Sequence, residues 1–464
     1  MALIKSISGI RGTIGGKVGE GLSPVDVVKF ASAYGSWVLD HSENRKIVIG
    51  RDARLSGKMV SNLVASTLQG LGIDVIDLGL STTPTVELAV PMEKAGGGII
   101  LTASHNPIQW NALKLLNHQG EFISAQEGQD ILARAESEDF EFAEIRKLGK
   151  YIQINDYMDK HIQHVLNLEL VDVDAIKARK FKVVVDAVNS TGGIVVPKLL
   201  EALGVEVIEK MFCEPTGDFP HNPEPLPEHL RDISAKLEKG NFDLGIVVDP
   251  DVDRLAFVNE DGSPFGEEYT LVAVADYVLS KTPGNTVSNL SSTRALRDIT
   301  EKHGGVYHAA AVGEVNVVNQ MKAVNAVIGG EGNGGVIYPT SHYGRDALVG
   351  IGLFLTHLAK TGKSISRLRA TYPGYFISKN KIELTPELNV DKILSEIKTK
   401  YKNHEINEID GVKIEFEKEW VHLRKSNTEP IIRIYSESQS EATAEHLAQK
   451  IIQDIKEIVN STVI

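Results

Sequence analysis

The chain of 464 residues is 42% hydrophobic and carries a formal net charge of −13 at pH 7, which predicts about three domains and argues against a nucleic-acid partner. No apolar run approaches the roughly 20 residues of a membrane span, and Met1–Lys5 is too short for a signal segment, so we expect a cytoplasmic protein without a membrane partner. The single cysteine, Cys213, excludes an intramolecular disulfide.

Predicted helices and buried strands alternate along the chain. Ser23-Pro24 is typical of a helix N-cap followed by the first helical residue, and the apolar periodicity after it predicts a helix through Leu39. The apolar runs Ile47–Ile49 and Val183–Val185 predict strands, and a helix is predicted over Ala442–Val459. Residues 136–139 and 371–374 are typical of domain boundaries.

Ser104 is a candidate nucleophile. The run Thr102-Ala103-Ser104-His105-Asn106-Pro107 follows the apolar stretch Ile99–Leu101, so a buried strand delivers the Ser104 hydroxyl to an exposed tip. His105 offers a base or charge partner to activate that hydroxyl. The proline prevents the loop from continuing as strand or helix. Adjacent Ser and His side chains are common on surfaces, so a second motif is needed to support catalysis.

That second motif is a set of three carboxylates, Asp249, Asp251 and Asp253, directly after the buried run Leu244–Val248. Open α/β sheets bind ligands at this end of their strands. Alternate carboxylates on a flat strand would lie about 6.6 Å apart, whereas the ligands of one Mg²⁺ lie within about 4.2 Å of each other, so the chain must curl. The spacing predicts a Mg²⁺ site whose negative surplus Arg254 would partly offset, with a solvated acidic turn as the alternative.

A glycine-rich stretch over residues 329–335 formally contains G-x-G-x-x-G. A dinucleotide site would require a helix next, but the following residues, 336–339, predict a strand that ends in a proline. Glu331 and Asn333 on a flexible backbone instead suit contacts with vicinal sugar hydroxyls.

Near the C-terminus, one short stretch combines arginines, whose guanidinium groups can donate two parallel N–H bonds, with small neutral donors such as hydroxyl and amide groups. Such a set matches what a phosphate dianion requires, although a basic turn before a strand is an equal alternative. The residues of this predicted phosphate site are Arg424, Ser426, Asn427, Thr428 and Arg433.

With these four stretches in this order, the chain resembles the α-D-phosphohexomutase superfamily over its whole length. The resemblance implies three similar mixed α/β domains and a C-terminal α+β domain around a central active-site cleft. The implied domains are residues 1–150 with the phosphoserine loop, 151–256 with the metal loop, 257–370 with the sugar loop and 371–464 with the phosphate loop.

The same resemblance implies roles for single residues. Ser104 would be the phosphoserine and would bind Mg²⁺ together with the three aspartates. Arg254 would stabilise the negative charge of the phosphoserine. Glu331 and Asn333 would bind the sugar hydroxyls. Arg11 and Lys114 match further catalytic positions and, with His105, are candidates for charge stabilisation or proton handling.

The implied reaction interconverts 6-phospho and 1-phospho hexoses. Phosphorylated Ser104 would give its group to a hexose monophosphate, and the resulting hexose 1,6-bisphosphate, also the expected activator, would turn and return its other phosphate. The versions Asp249-Pro250-Asp251 and Asn333-Gly334-Gly335 of the metal and sugar loops, and Gly313-Glu314-Val315-Asn316, resemble a branch that contains archaeal-type phosphoglucosamine mutases with bacterial members. Glucosamine 6-phosphate is therefore the expected substrate. Phosphoglucomutase or phosphomannomutase activity is the alternative, and a homodimer is one assembly that the sequence leaves open.

Two further interpretations of these motifs assign a different chemistry to the protein. In an aspartate-nucleophile phosphatase, Asp249 would take the phosphoryl group, because Ile246–Asp251 is similar to the motif of that class. In a non-catalytic sugar-phosphate binding protein, the same loops would bind the ligand and the ion, but Ser104 would be superfluous.

Overall fold

The computed structural model describes residues 2–6, 9–383, 389–425 and 431–462, with side chains through residue 459. Its strands form four sheets that follow one another along the chain. Ser426, Asn427 and Thr428 of the predicted phosphate site lie outside the described residues. Within the described part, no helix has both the length and the apolar character needed to cross a membrane.

The first sheet contains seven strands: Leu3–Ser6 (β1), Gly9–Thr13 (β2), Lys46–Arg51 (β3), Asp74–Leu80 (β4), Gly97–Leu101 (β5), Trp110–Leu116 (β6) and Tyr151–Gln153 (β7). Its helices are Pro24–His41 (α1), Gly57–Gly70 (α2), Thr83–Met92 (α3) and Ala125–Ser137 (α4), with a 3₁₀ turn at Ile145–Lys147. The strand order is β1-β2-β6-β5-β3-β4-β7, and hydrophobic clusters pack on both faces. Strand β7 extends this sheet past residue 150, the predicted end of the first domain.

The predicted start of α1 is confirmed. Ser23 caps the helix by accepting the Asp26 N–H, while the Asp26 side chain accepts the Ser23 N–H, and Pro24 occupies the first turn. This reciprocal pattern is a capping box, which satisfies two backbone donors that the first turn leaves unpaired. The helix continues two residues beyond the predicted Leu39.

The second sheet contains Lys182–Asp186 (β8), Val207–Met211 (β9), Leu244–Val248 (β10) and Leu255–Asn259 (β11). Its helices are Tyr157–Leu166 (α5), Val173–Arg179 (α6), Gly192–Ala202 (α7) and Arg231–Lys239 (α8), with a 3₁₀ turn at Pro227–His229. The strand order is β11-β10-β8-β9, in which only β11 is antiparallel to its neighbour. Strand β11 crosses residue 256, the predicted end of the second domain.

The third sheet contains Thr286–Asn289 (β12), Tyr307–Ala310 (β13), Ile328–Glu331 (β14) and Gly335–Ile337 (β15). Its helices are Glu267–Lys281 (α9), Ala295–Lys302 (α10), Glu314–Ala323 (α11), Ala347–Thr361 (α12) and Ile365–Arg369 (α13). The order is β13-β12-β14-β15, again with one antiparallel strand, β15. A strand therefore follows the glycine-rich stretch as predicted, and the dinucleotide motif is ruled out.

The fourth sheet is antiparallel and contains Phe376–Glu383 (β16), Glu405–Asn407 (β17), Val412–Glu415 (β18), Trp420–Lys425 (β19) and Ile431–Ser438 (β20) in the order β16-β20-β19-β18-β17. Two helices, Val390–Lys400 (α14) and Glu441–Thr462 (α15), pack on it around one hydrophobic cluster. The predicted C-terminal helix is confirmed, and the domain is α+β, whereas the three before it are mixed α/β.

One four-strand unit recurs in the first three sheets. In chain order, its strands are β3 to β6, β8 to β11 and β12 to β15, and in each sheet the fourth strand pairs with the third, the third with the first and the first with the second. The serine, aspartate and glutamate loops all connect the third strand of a unit to the fourth. The fold thus uses one topological position three times for the predicted chemistry.

Candidate active site

Ser104 lies in the loop between β5 and β6 with its backbone in the left-handed region, at a φ of 49°. A non-glycine residue is uncommon there and needs support from its surroundings. The Thr102 hydroxyl accepts the Ser104 N–H at 2.9 Å. The Ser104 hydroxyl donates to Asp249 Oδ2 at 2.9 Å, and His105 Nδ1 lies 3.4 Å from the Ser104 hydroxyl oxygen. The candidate nucleophile therefore directly contacts the predicted metal loop.

Arg54, which the sequence analysis missed, holds the serine loop. Its guanidinium is buried, and its Nε donates to Asp52 Oδ2 at 3.0 Å. Its two terminal nitrogens donate to four backbone carbonyls of the loop, at distances of 2.5 to 3.0 Å, those of Ser104, Asn106, Pro107 and Trp110. Arg54 follows the end of β3, the same kind of position that identified the other loops, so its place after a strand was the available signal.

The aspartate loop curls as the spacing argument requires. Val252 lies in the left-handed region at a φ of 63°, and Asp249 Oδ1 accepts the N–H groups of Asp253 and Arg254 at 3.2 and 3.1 Å. This turn brings one oxygen from each of Asp249, Asp251 and Asp253 within 4.8 Å of the others. All three side chains are fully buried.

These three residues fit a magnesium ion. Asp251 Oδ1 and Asp253 Oδ1 are buried without a hydrogen-bond partner, so two acceptors remain unsatisfied in the site. Burial and the charges of Asp253 and Asp251 raise the pKa of Asp249 well above its usual range, which a cation among them would relieve. Carboxylate and hydroxyl oxygens are the donors that Mg²⁺ prefers.

Lys114 and Arg345 neutralise part of this charge. Lys114 Nζ donates to Asp251 Oδ2 at 2.8 Å and lies 3.5 Å from Asp253 Oδ2. Burial lowers the pKa of Lys114, but Asp251 and Asp253 outweigh burial, and the pKa is raised overall. Arg345, for which no motif gave a signal, donates to Asp253 Oδ2 at 2.7 Å.

Arg11 lies on β2 directly opposite Ala112 of β6, two residues from Lys114 on the same strand. The register therefore places Arg11 and Lys114 on one face of the sheet. Burial lowers the pKa of Arg11. Burial and the charges of Arg254 and Arg345 lower the pKa of His105 well below its usual range, so its imidazole is neutral at pH 7.

Arg254 lies beside the metal loop, but its side chain faces Glu224. Its Nη1 donates to Glu224 Oε1 at 2.9 Å, and its Nε is buried without a partner. Glu224 Oε1 also lies 4.0 Å from His105 Nε2. The guanidinium thus lies next to the serine loop, although it contacts none of the three aspartate side chains.

Glu331 ends β14 and is buried among donors. Asn289 Nδ2 and the Gly313 N–H donate to its Oε1 at 2.8 and 3.2 Å, and Arg345 Nη1 lies 3.3 Å from its Oε2. Burial raises the pKa of Glu331, but Arg345 and Asn289 outweigh burial and lower the pKa overall. Asn333 is half-buried and donates to Glu331 Oε2 at 3.4 Å, so the predicted sugar-reading pair is brought together. Arg345 links this pair to the metal loop.

Arg424 and Arg433 are direct cross-strand partners on β19 and β20, so their side chains share one face of the fourth sheet. Like charges placed opposite each other destabilise a sheet unless an anion lies between them. Arg424 Nε forms an ion pair with Asp410 Oδ2 at 2.9 Å, whereas Arg433 is exposed. This arrangement is suited to an oxyanion such as phosphate.

A hydroxyl beside three buried carboxylates that fit a divalent metal ion, with cations nearby, is typical of an enzyme that transfers phosphoryl groups. Four domain families of phosphoglucomutase/phosphomannomutase match the chain: α/β/α domain I at residues 4–142, domain II at 159–262, domain III at 266–375 and the C-terminal domain at 382–453. The chain therefore belongs to the phosphoglucomutase/phosphomannomutase family, within the α-D-phosphohexomutase superfamily. It is a phosphohexomutase, an isomerase of carbohydrate metabolism, and its relatives include proteins named phosphoglucosamine mutases.

Two relatives match almost the whole chain. A phosphoglucomutase/phosphomannomutase of Thermococcus kodakarensis is 35% identical and covers 96% of this chain and 98% of its own. A phosphoglucosamine/phosphogalactosamine mutase of Sulfurisphaera tokodaii is 29% identical and covers 99% of both chains.

Solved structures show the same fold. A phosphoglucomutase/phosphomannomutase family protein of Burkholderia thailandensis has a TM-score of 0.85 at 27% identity, over 98% of this chain and 97% of its own. An N-acetylphosphoglucosamine mutase of Aspergillus fumigatus, in complex with GlcNAc-6P and magnesium, has a TM-score of 0.60 at 13% identity, over 98% of this chain and 95% of its own.

Proposed function

We propose that Ser104 carries the phosphoryl group that this phosphohexomutase transfers. The observation that supports this most strongly is the 2.9 Å hydrogen bond from the Ser104 hydroxyl to Asp249, one of the three clustered carboxylates. A phosphorylated Ser104 would give its group to the free hydroxyl of a hexose monophosphate. The bisphosphate would then turn end for end and return its other phosphate to Ser104.

Asp249, Asp251, Asp253 and the Ser104 oxygen are proposed to hold Mg²⁺. The unsatisfied oxygens of Asp251 and Asp253 support this assignment. When bound, Mg²⁺ supplies charge neutralisation at the oxygens of the transferred group. Arg254 adds a further cation near the serine loop.

Arg11, His105 and Lys114 are proposed to handle charge and protons around the transferred group. His105 Nδ1 lies within 3.4 Å of the Ser104 hydroxyl, and Lys114 donates to a carboxylate of the metal loop, which supports positions close to the reacting atoms. Phosphoryl transfer depends mainly on positioning and charge stabilisation, which such a set supplies.

Glu331 and Asn333 are proposed to bind sugar hydroxyls, and the phosphate that is not being transferred is proposed to bind Arg424, Ser426, Asn427, Thr428 and Arg433. The cross-strand pairing of Arg424 with Arg433 supports the phosphate role. Because the sugar turns between the two transfers, one phosphate site must accept either end of the substrate.

The proposed substrate is glucosamine 6-phosphate, converted to glucosamine 1-phosphate, with a hexose 1,6-bisphosphate as activator. The name of the Sulfurisphaera tokodaii relative supports an amino sugar. The name of the Thermococcus kodakarensis relative supports glucose and mannose phosphates as the alternative. We propose a cytoplasmic enzyme of four domains, residues 1–150, 151–256, 257–370 and 371–464. The last strands of the first two sheets end close to the first two boundaries, at Gln153 and Asn259.

A substrate panel tests this assignment. Turnover of the 1- and 6-phosphates of glucosamine, glucose and mannose, each primed with its bisphosphate, should give the highest kcat/KM for glucosamine. A higher value for glucose or mannose would establish the alternative.

The Ser104→Ala variant tests the serine mechanism. It should lose isomerisation activity and retain its fold, and retained turnover would contradict the mechanism. A wild-type protein without turnover, even when primed with the bisphosphate, would support a binding protein.

A further inference from the structure

Among the polar contacts between the C-terminal domain and the third domain, two lie next to each other at His422 and Asp410. His422 Nδ1 lies 2.9 Å from the Ser291 hydroxyl, and the Val312 N–H donates to Asp410 Oδ2 at 3.0 Å. His422 Nε2 also lies 2.6 Å from the Asp410 backbone oxygen, so the two contacts are tied to each other. Gly411 follows Asp410 in the left-handed region, and a Cβ there would lie 2.2 Å from the Leu423 oxygen, so the turn is pressed against β19.

The Asp410 oxygen that accepts the Val312 N–H also contacts Arg424. Asp410 Oδ2 lies 2.9 Å from Arg424 Nε, so one carboxylate contacts both the third domain and the predicted phosphate arginine. An arginine binds an oxyanion best through two parallel N–H groups. Anchoring the Nε leaves the terminal Nη pair for such a contact and fixes the plane of the guanidinium.

Both contacts with the third domain lie close to groups that hold the sugar-reading carboxylate. Val312 precedes Gly313, whose N–H donates to Glu331 Oε1 at 3.2 Å. Ser291 donates its N–H to Asn289 Oδ1 at 3.0 Å, and Asn289 Nδ2 donates to the same Glu331 oxygen at 2.8 Å. A short chain of polar contacts therefore runs from the phosphate arginine to the sugar-reading glutamate.

We propose that Asp410 is a positioning residue that fixes Arg424 at a set distance from Glu331. A hexose phosphate is rigid, so the protein groups that bind its ring hydroxyls and its phosphate must lie at a fixed distance from each other. Asp410 sets this distance, because it orients the Arg424 guanidinium and also binds the backbone next to the group that supports Glu331. The inference rests on the phosphate role proposed for Arg424.

Steady-state kinetics of Asp410→Asn, Asp410→Ala, Arg424→Ala and the double variant Asp410→Ala/Arg424→Ala test the inference. Asp410→Ala should raise the KM for the hexose phosphate by about tenfold or more, the usual loss for a hydrogen bond to a charged group, and should lower kcat less. Asp410→Asn should give an intermediate KM, since its amide oxygen can still accept one N–H. Asp391→Asn, which removes an exposed ion pair with Lys425, is the matched control and should leave KM unchanged.

In the double variant, the Asp410 substitution should add nothing to the KM of Arg424→Ala, because Asp410 acts through Arg424. Additive effects would assign Asp410 a merely structural role and overturn the inference. So would an unchanged or lower KM in both Asp410 variants while Arg424→Ala raises it. An unchanged KM in Arg424→Ala would instead overturn the phosphate role, and the inference with it. If Asp410→Ala does not fold, Asp410→Asn takes its place in the cycle.

Discussion

At the scale of single residues, the site depends on charges that are buried and paired. The proximity of Ser104 to the three aspartates could be predicted, because both loops follow apolar strands and carry residue types with known chemistry. The contacts of Arg54 and Arg345 could not be predicted, because they join residues far apart in the sequence, although the place of Arg54 after β3 was a signal for that residue. Arg54 meets the serine loop about fifty residues later, and Arg345 meets Asp253 and Glu331.

Arg54 gives a prediction at this scale. Arg54→Lys cannot bond Asp52 and four loop carbonyls at once, so the Ser104 tip should lose its position. We expect kcat to fall by about 10- to 100-fold, as small displacements of a reacting group do, with a smaller change in KM. Thermal unfolding should begin at a lower temperature, since Asp52 loses part of its buried partner.

Arg179→Lys is a suitable control, because Arg179 donates to one exposed carbonyl, that of Lys363. It should leave kcat and the unfolding temperature unchanged. A kcat of Arg54→Lys equal to that of the wild type would mean that the loop is held by other contacts.

At the scale of elements, the sequence correctly predicted the helix that begins after Ser23, the strands before each loop and the strand after the glycine-rich stretch. The family resemblance implied three similar domains, but the residues themselves show no repeat that would reveal the four-strand unit. Topology is repeated, but the loop chemistry is not: the same connection carries a serine, three aspartates or a glutamate. A search for repeated residues has nothing to detect in such a case.

Gly334 links two of these loops. Its backbone has a φ of 88°, and a Cβ there would lie 2.3 Å from the Leu255 oxygen, at the start of β11. Gly334→Ala should therefore push the sugar loop away from the metal loop and raise the KM for the hexose phosphate, besides costing about 1–3 kcal/mol of backbone strain.

Gly304→Ala separates the two effects, because Gly304 has a φ of 77° but a Cβ there would meet no atom within 4 Å. It should lower thermal stability and leave KM unchanged. Equal KM values for the two variants would show that close approach at Gly334 does not set the sugar loop.

At the scale of the whole molecule, the second and third domains share one hydrophobic cluster that runs from Met158 to Tyr372. A buried polar junction joins three domains: His161 Nε2 and His342 Nε2 lie 2.8 and 3.0 Å from Asp346 Oδ2, and Thr85 of the first domain contacts His161 at 2.9 Å. Neither feature could be predicted, since both depend on how domains pack.

Stability should fall in mild acid because of two buried histidines. Burial lowers the pKa of His357 and of His422 to about 4. In the unfolded chain these two histidines take up protons near pH 6.5, whereas in the folded protein they do so only near pH 4. Their contribution to the free energy of unfolding is therefore fully present above about pH 6.5. Each histidine loses about 1.4 kcal/mol of it per pH unit as the pH falls towards about 4.

Urea unfolding over this pH range measures the effect. The unfolding midpoint of the wild type should fall with pH, and His357→Asn should show a flatter dependence, whereas exposed His118→Asn should follow the wild type. A His357→Asn profile as steep as that of the wild type would assign the acid sensitivity to other groups.

The most direct test of the central claim is to locate the transferred phosphate on the enzyme. After incubation with a hexose 1,6-bisphosphate, peptide mass spectrometry should find an acid-stable phosphate on Ser104, and that phosphate should pass to added hexose monophosphate at a rate matching turnover. A hydroxylamine-labile phosphate on Asp249, or a Ser104 phosphate that never reaches the sugar, would contradict the account.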